Sequence, residues 1–147
     1  MARSKKRVSL SIHSQKLADA LVKHGVVPNK ADRMATPELA NNSNFWRAVV
    51  DGNGYLYDGG EEGLPKVILT GYEKLLGQFC SFIKKISPEC EANIKPVKGE
   101  NPFRVIVSGI HAVRLIHALY KNATTYLDRN MEIAHKVMGD PRYDLES

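Results

Sequence analysis

The sequence predicts a mixed α+β domain in which helices back an antiparallel β-sheet. Two pairs of short strand-like segments are each joined by a glycine-containing turn, which is typical of β-hairpins. Apolar residues recur at helical spacing in the segments that follow each hairpin. At 147 residues the chain is long enough for one compact domain with a buried core, with or without a small appendage.

The first 43 residues divide into a basic arm and a strand-helix segment. Residues 1–7 carry four basic side chains among their last five positions. This run fits either a flexible arm on DNA phosphates or a solvated, disordered terminus. Residues 8–12 alternate apolar and polar side chains and are predicted to form a strand. A helix capped by Ser14 and ended by Gly25 follows, and a turn at Pro28 leads into a linker at residues 31–44.

Residues 45–54 are predicted to form a short helix that runs directly into a strand. Polar residues at positions 42–44 can cap its start, and glycines mark its end. Ala48 and Gly52 are four positions apart, so one face of the helix is nearly bare of side chains. A second helix can therefore approach this face closely. The predicted interface consists of Phe45, Ala48, Val49 and Gly52.

The elements after this helix follow in regular order. Residues 55–57 and 66–70 are predicted to pair across a glycine-rich loop, and residues 72–86 form an amphipathic helix. A second hairpin joins residues 90–97 to 101–108, and two helices at 111–120 and 124–138 complete the domain. The strand-helix-turn order of residues 8–30 recurs from residue 103 onward. The chain therefore divides into the tail of one repeat, residues 8–43, and a complete repeat, residues 44–147.

Residues 46–54 resemble the motif of the LAGLIDADG homing endonucleases, with Ala48, Asp51, Gly52 and Gly54 in the family's pattern. The order of elements is similar to the second half of a two-repeat member, with the first motif helix and its strands absent before residue 8. In that family two motif helices pack together and deliver acidic residues to DNA. The resemblance implies a curved antiparallel sheet that binds double-stranded DNA, and Mg²⁺-dependent cleavage of both strands by an intron- or intein-encoded protein.

Two positions depart from the family's pattern. The metal-binding acid corresponds to Asn53, and a catalytic lysine corresponds to Asn130 in the complete repeat and to Lys30 in the partial one. The resemblance implies metal contacts from Asn53 and from the carbonyl of Gly52, although an amide attracts Mg²⁺ far less than a carboxylate. Asp51 is the remaining acid, and it either caps or pairs near the helix end or takes a metal role.

Three explanations compete for Asn53. It is an engineered change that traps an uncut complex, or the repeat has decayed into a DNA-binding protein. Alternatively, a second LAGLIDADG-bearing chain, either another copy or a separate polypeptide, supplies the missing half and its acid. All three imply a chain that acts as a subunit or as a cleavage-impaired form.

The strands offer the candidate DNA surface. By alternation, Arg104, Ile106 and Ser108 lie opposite the inward Val105 and Val107. The outward positions of the other strands are rich in hydrogen-bonding groups, which suits base contacts, although a plain solvated sheet face is the alternative. The expected DNA-binding residues are Tyr55, Tyr57, Lys66, Thr70, Asn93, Lys95, Lys98, Arg104 and Ser108.

Composition limits the partners and the compartment. A net charge of +5 and a pI near 9.2 favour a polyanionic partner. No apolar run approaches the roughly 20 residues of a membrane span, and the basic N-terminus is unlike a signal peptide. We expect a soluble intracellular protein, in the cytoplasm for a bacterial or phage source, and in an organelle or the nucleus for a eukaryote. The competing functions are a non-catalytic DNA-binding protein or intron splicing helper, and a basic RNA-binding protein.

Overall fold

A computed structural model of the chain describes residues 32–99, 102–143 and 145. The predicted basic arm, the strand at residues 8–12, the helix from Ser14 to Gly25 and the candidate Lys30 lie outside the described residues. Two positions of the second hairpin turn, 100 and 101, also lie outside them. The described residues therefore cover most of the segment predicted to form the complete repeat, with part of the linker before it.

The described ranges contain five α-helices and four strands. Their bounds are α1 Pro37–Ala40, α2 Ser43–Asn53, β1 Gly54–Tyr57, β2 Lys66–Gly71, α3 Glu73–Ile86, β3 Ile94–Pro96, β4 Phe103–Ser108, α4 Ile110–Tyr120 and α5 Asp128–Met138. A 3-10 turn at Pro141–Tyr143 follows. The predicted α+β class is confirmed, since a four-stranded antiparallel sheet is backed by helices.

Three elements differ from the predictions by more than two residues. The linker contains α1, in which Thr36 caps the helix and Pro37 occupies its first turn, a position that tolerates proline. β3 is shorter than predicted, because only Ile94–Pro96 pair with β4. A turn precedes it, in which the Cys90 amide donates to the Ser87 carbonyl. The last helix begins at Asp128 rather than at residue 124, because side chains of α2 engage the backbone of residues 125–127.

The strands lie in the order β1-β2-β4-β3, and every neighbouring pair is antiparallel. The two predicted hairpins are therefore joined along β2 and β4 in the centre of the sheet. Ile68 of β2 lies between Tyr55 of β1 and Ile106 of β4. This register places every second residue of each strand on the same face of the sheet.

The core lies between the sheet and the helices. Trp46 is fully buried, with its ring centroid 5.2 Å from that of Phe79 and 6.1 Å from that of Phe82 on α3. Its indole nitrogen donates to the carbonyl of Ala40 at 2.8 Å, so burial leaves this polar group paired. An aromatic side chain of this size contributes roughly 4 to 6 kcal/mol of hydrophobic stabilisation when it is removed from water. Trp46 thus anchors α2 against the rest of the domain.

Among the helices that the structure describes, none combines the length and the apolar character needed to cross a membrane.

Candidate nucleic-acid interface

Gly54 allows α2 to enter the sheet with no intervening loop. Its amide donates to the carbonyl of Val50 at the helix end, and the same residue is the first of β1. A β-carbon at this position would collide with the carbonyl oxygen of Ile68 in β2. A glycine is therefore required here for close backbone approach rather than for an unusual dihedral angle.

Asp51 connects the last turn of α2 to α4 and α5. Its carboxylate accepts from the hydroxyl of Tyr120 at 2.5 Å, the amide of Leu127 at 2.8 Å and the side-chain amide of Asn130 at 2.9 Å. Burial, and then the charge of Asp51 and its hydrogen bond, raise the pKa of Tyr120. Both oxygens of Asp51 are therefore already engaged by groups of this chain.

Asn130 belongs to the same buried cluster. Its side chain is only 1% exposed, and its oxygen accepts from the amide of Leu56 in β1 at 3.3 Å while its nitrogen donates to Asp51. The position that the family resemblance assigns to a catalytic lysine is thus an interior hydrogen-bonding position in this chain. Its amide holds the start of α5 against β1 and does not line an open cleft.

Arg47 was not among the residues singled out from the sequence. Its guanidinium is buried and donates to the carbonyls of Thr125 at 2.7 Å and Leu119 at 3.0 Å, and to the side chain of Asn44 at 2.9 Å. Its position four residues before Asp51, on one helix face, was a signal that both side chains point the same way. Arg47 and Asp51 together fix the loop between α4 and α5.

The side chain of Asn53 takes a different direction and is exposed at the end of α2. Its backbone carbonyl accepts from the hydroxyl of Thr70 in β2 at 2.9 Å, which places the end of α2 beside the sheet. Gly52 is half-buried and Ala48 is exposed.

The other two residues of the predicted interface lie elsewhere. Phe45 and Val49 are buried in the core of this chain and have almost no surface left for a partner. The accessible part of the predicted interface is therefore the face of Ala48 and Gly52.

The side chains at the end of α2 do not by themselves fit a Mg²⁺ site. Asn53 offers a neutral amide, and the oxygens of Asp51 already accept three hydrogen bonds. Hard divalent cations prefer several oxygen ligands that include carboxylates. Within the described ranges, moreover, no three His, Cys, Asp or Glu side chains form a group that could hold a metal ion.

The face of the sheet that the helices leave open is termed the outer face, and it is built from three cross-strand rows. The lysine row is Tyr57, Lys66 and Ser108; the apolar row is Tyr55, Ile68 and Ile106; the arginine row is Thr70, Arg104 and Lys95. The alternation predicted for Arg104, Ile106 and Ser108 is confirmed, because all three are exposed while Val105 and Val107 are buried.

The outer face is polar, aromatic and basic. Tyr55 and Tyr57 are 45% and 47% exposed. No residue of the four strands is acidic, and their three cations, Lys66, Lys95 and Arg104, all lie on the outer face. No salt bridge between described residues involves any of the three. Their charge is therefore available to a partner.

The remaining candidate residues lie on either side of β3 in the sequence. Asn93 and Lys98 are exposed next to this strand, in continuity with Lys95. A cavity of about 230 Å³ opens here, lined by Glu91, Asn93, Lys95, Arg104 and Ile106. The structure thus brings three of the predicted DNA-binding residues, Asn93, Lys95 and Arg104, around one depression.

Neither a scan against protein-family models nor a search of curated proteins found a match for this chain. Any functional assignment therefore rests on the residues of α2 and of the outer face.

A second polar cluster joins the end of α3 to the start of α4. Ser87 is fully buried, and its hydroxyl lies 2.5 Å from Nδ1 of His111 and 2.8 Å from a guanidinium nitrogen of Arg114. Arg114 donates to the Ser87 hydroxyl, and the tautomer of His111 sets which of Ser87 and His111 donates to the other. A buried serine cannot reach a substrate carbonyl, so this pair holds the two helices together and does not act as a nucleophile and base.

Proposed function

We propose that this chain binds double-stranded DNA sequence-specifically through the outer face, as a subunit or a cleavage-impaired form of a LAGLIDADG-type homing endonuclease. The observation that carries the proposal is that all three cations of the four described strands lie on one face, and that none of these four strands has an acidic residue. Such a face attracts a phosphate backbone through counterion release. The resemblance of residues 46–54 to the family's motif supports the same partner.

The dimensions of the outer face suit a duplex. Adjacent strands are spaced by about 4.8 Å, so the central pair of β2 and β4 is narrow enough for a major groove about 12 Å wide. The hydroxyls of Ser108 and the two tyrosines can donate to and accept from base edges. The hydroxyl of Thr70 donates to the carbonyl of Asn53, so it can only accept from a base. Lys66 and Lys95, in rows four residues apart, can reach phosphates on either side of the groove.

The proposal includes a second chain that pairs through α2. The accessible face of Ala48 and Gly52 permits close contact of two helix backbones. One outer face covers only half of a two-fold site, and an isologous pair covers both halves. The partner is either a second copy or a separate LAGLIDADG-bearing chain, and it would bring its own acid beside Asn53.

Binding and cleavage are separable in this proposal. With Asn53 in place, the chain alone is expected to retain duplex DNA and leave it uncut in Mg²⁺. The Asn53→Asp variant, together with the partner chain, is expected to cleave both strands of the bound site. The saturated carboxylate of Asp51 favours a second candidate, a non-catalytic DNA-binding protein or intron splicing helper. In that case Asn53→Asp would bind the same duplex and never cut it.

The test begins with the full chain and a random duplex library. Bound sequences are recovered, and affinity for the enriched duplex is measured at several salt concentrations and in the presence of a chelator. We expect enrichment of a defined sequence and a linear fall of log affinity with log salt concentration. Equal binding to any RNA, with no preference for duplex DNA, would show the chain to be an RNA-binding protein instead.

A further inference from the structure

We propose that the cavity beside Arg104 recognises one G·C base pair, with Arg104 on the guanine and Glu91 on the cytosine. This inference rests on the proposed binding of duplex DNA and assigns a base identity to one part of the outer face. The residues that carry it are Arg104, Glu91 and Ile106, all of which line the same cavity.

The size and position of the cavity favour an edge of a large partner over a small molecule. Its volume of about 230 Å³ is below the roughly 300 to 1,000 Å³ that is typical of small-molecule sites. It opens on the outer face between β3 and β4, where Lys95 pairs with Arg104 in register. A base-pair edge that projects from a groove is a ligand of suitable shape.

Arg104 has the chemistry required for guanine. It is exposed, and no described residue forms a salt bridge with it. A guanidinium offers two parallel N–H donors, which match the O6 and N7 acceptors of guanine in the major groove. Its neighbours in the arginine row are Thr70 and Lys95, so no acid of the sheet competes for these donors.

Glu91 distinguishes a base site from a phosphate site. It is exposed and lines the cavity together with Lys95 and Arg104. A carboxylate repels a phosphate, so its presence would weaken a simple phosphate-binding cavity. The N4 amino group of cytosine is a donor that a carboxylate accepts, and it lies on the same base pair as the guanine acceptors. A G·C pair therefore satisfies both charges of the cavity.

The neighbouring row predicts a second base preference at a fixed distance. Ile106 is 39% exposed and follows Arg104 by two residues, on the same face of β4. Two residues of a strand span about 6.8 Å, which equals roughly two base-pair steps of 3.4 Å. Where β4 follows the groove, Ile106 meets the methyl group of a thymine about two steps from the guanine.

The experiment compares duplexes selected from a random library by the full native chain and by four variants. The native chain is expected to enrich a guanine about two positions from a thymine. Arg104→Gln is expected to replace that guanine by adenine, with a change in discrimination of roughly 5- to 150-fold. Arg104→Lys keeps the charge but loses the two parallel N–H donors of the guanidinium. We therefore expect the salt dependence of binding to be retained and the preference for guanine to weaken. Lys84→Gln on α3 removes one charge from the helix side and should leave the preference unchanged.

Glu91→Gln is expected to change the overall affinity for duplex DNA in the opposite direction to the arginine variants. Removal of its charge should raise affinity for every duplex, while discrimination at the G·C pair falls. Raised affinity with unchanged discrimination would overturn the cytosine contact.

If Arg104→Gln weakens all sequences equally, Arg104 contacts phosphate, and the inference fails while DNA binding stands. A native chain that retains no duplex at all would overturn both proposals. Because Arg104 and Glu91 are exposed, all variants should keep the native circular dichroism spectrum, which identifies any loss of fold.

Discussion

On the helix side of the sheet, Asp51 accepts hydrogen bonds from three donors and the buried Arg47 donates to two carbonyls and an amide oxygen. On the outer face, Lys66, Lys95 and Arg104 form no salt bridge with any described residue. The same short strands separate these two environments. The side chains of Asp51 and Arg47 are satisfied within the chain, and the three cations of the outer face are open to a partner.

This difference indicates what each set of polar residues does. A buried polar group with its partners in place stabilises the fold, and removal of one partner leaves the others unpaired at high cost. Exposed cations on one face repel each other and contribute little to stability. Changes on the helix side should therefore lower stability, whereas changes on the outer face should act on binding.

The largest loss of stability is expected for Asp51→Ala. This change leaves the hydroxyl of Tyr120, the amide of Leu127 and the side chain of Asn130 without their acceptor. Each unpaired buried donor costs about 1 to 3 kcal/mol, so we expect the free energy of unfolding to fall by about 3 to 5 kcal/mol. Urea denaturation followed by circular dichroism measures this fall.

Asp128→Ala is the matched control for Asp51. Asp128 is an exposed acid in the first turn of α5, where its charge favours the helix by less than about 1 kcal/mol. Equal destabilisation by the two variants would mean that Asp51 acts only through general charge and not through its three hydrogen bonds.

Gly54→Ala is expected to lower the free energy of unfolding by about 2 to 3 kcal/mol, because the added methyl group meets the carbonyl oxygen of Ile68. Gly77→Ala makes the same chemical change inside α3, where a β-carbon would have no neighbour within 4 Å. That variant should be more stable by about 0.5 to 1 kcal/mol. Thermal unfolding of both variants provides the comparison, and losses of the same size would contradict a tight junction between α2 and β1.

Tyr120→Phe removes one donor of the Asp51 cluster and is expected to cost about 1.5 kcal/mol at neutral pH. Burial and the charge of Asp51 raise the pKa of Tyr120 above the value near 10 of an unfolded chain. A raised pKa gives stability that is complete below pH 10 and is lost as pH rises above it. The advantage of the native chain over Tyr120→Phe should therefore shrink by roughly 1.4 kcal/mol per pH unit above pH 10. A constant difference from pH 8 to pH 11 would exclude this linkage.

Local patterns were sufficient to predict the sheet and α2. The alternation in β4 decides which side chains face outward, and the Asn42 side chain caps α2 by accepting from the amides of Asn44 and Phe45. Both patterns depend on residues close in sequence, and the structure follows them.

Long-range contacts determine the two features that the sequence did not predict, the start of α5 and the burial of Asn130. Residues 125–127 have a helical pattern, yet Arg47 and Asp51 hold their backbone outside α5 from nearly 80 residues away. The family resemblance places Asn130 in a cleft. In the structure its side chain is hydrogen-bonded to Asp51 and to the amide of Leu56 in the interior. No local pattern indicates such pairings, because each depends on which helices the fold brings together.

Substitution of the outer-face lysines is expected to change stability least and DNA binding most. In the variant with Lys66→Gln and Lys95→Gln, no described salt bridge is lost, so the free energy of unfolding should move by less than about 0.5 kcal/mol. If both lysines contact phosphates, the slope of log affinity against log salt concentration should decrease by roughly 2. The same two substitutions at Lys74 and Lys84 of α3 remove equal charge from the helix side, and they should leave that slope nearly unchanged. Equal slopes for the two double variants would mean that the basic charge acts from the whole molecule, and the distinction between the two faces would then not extend to binding.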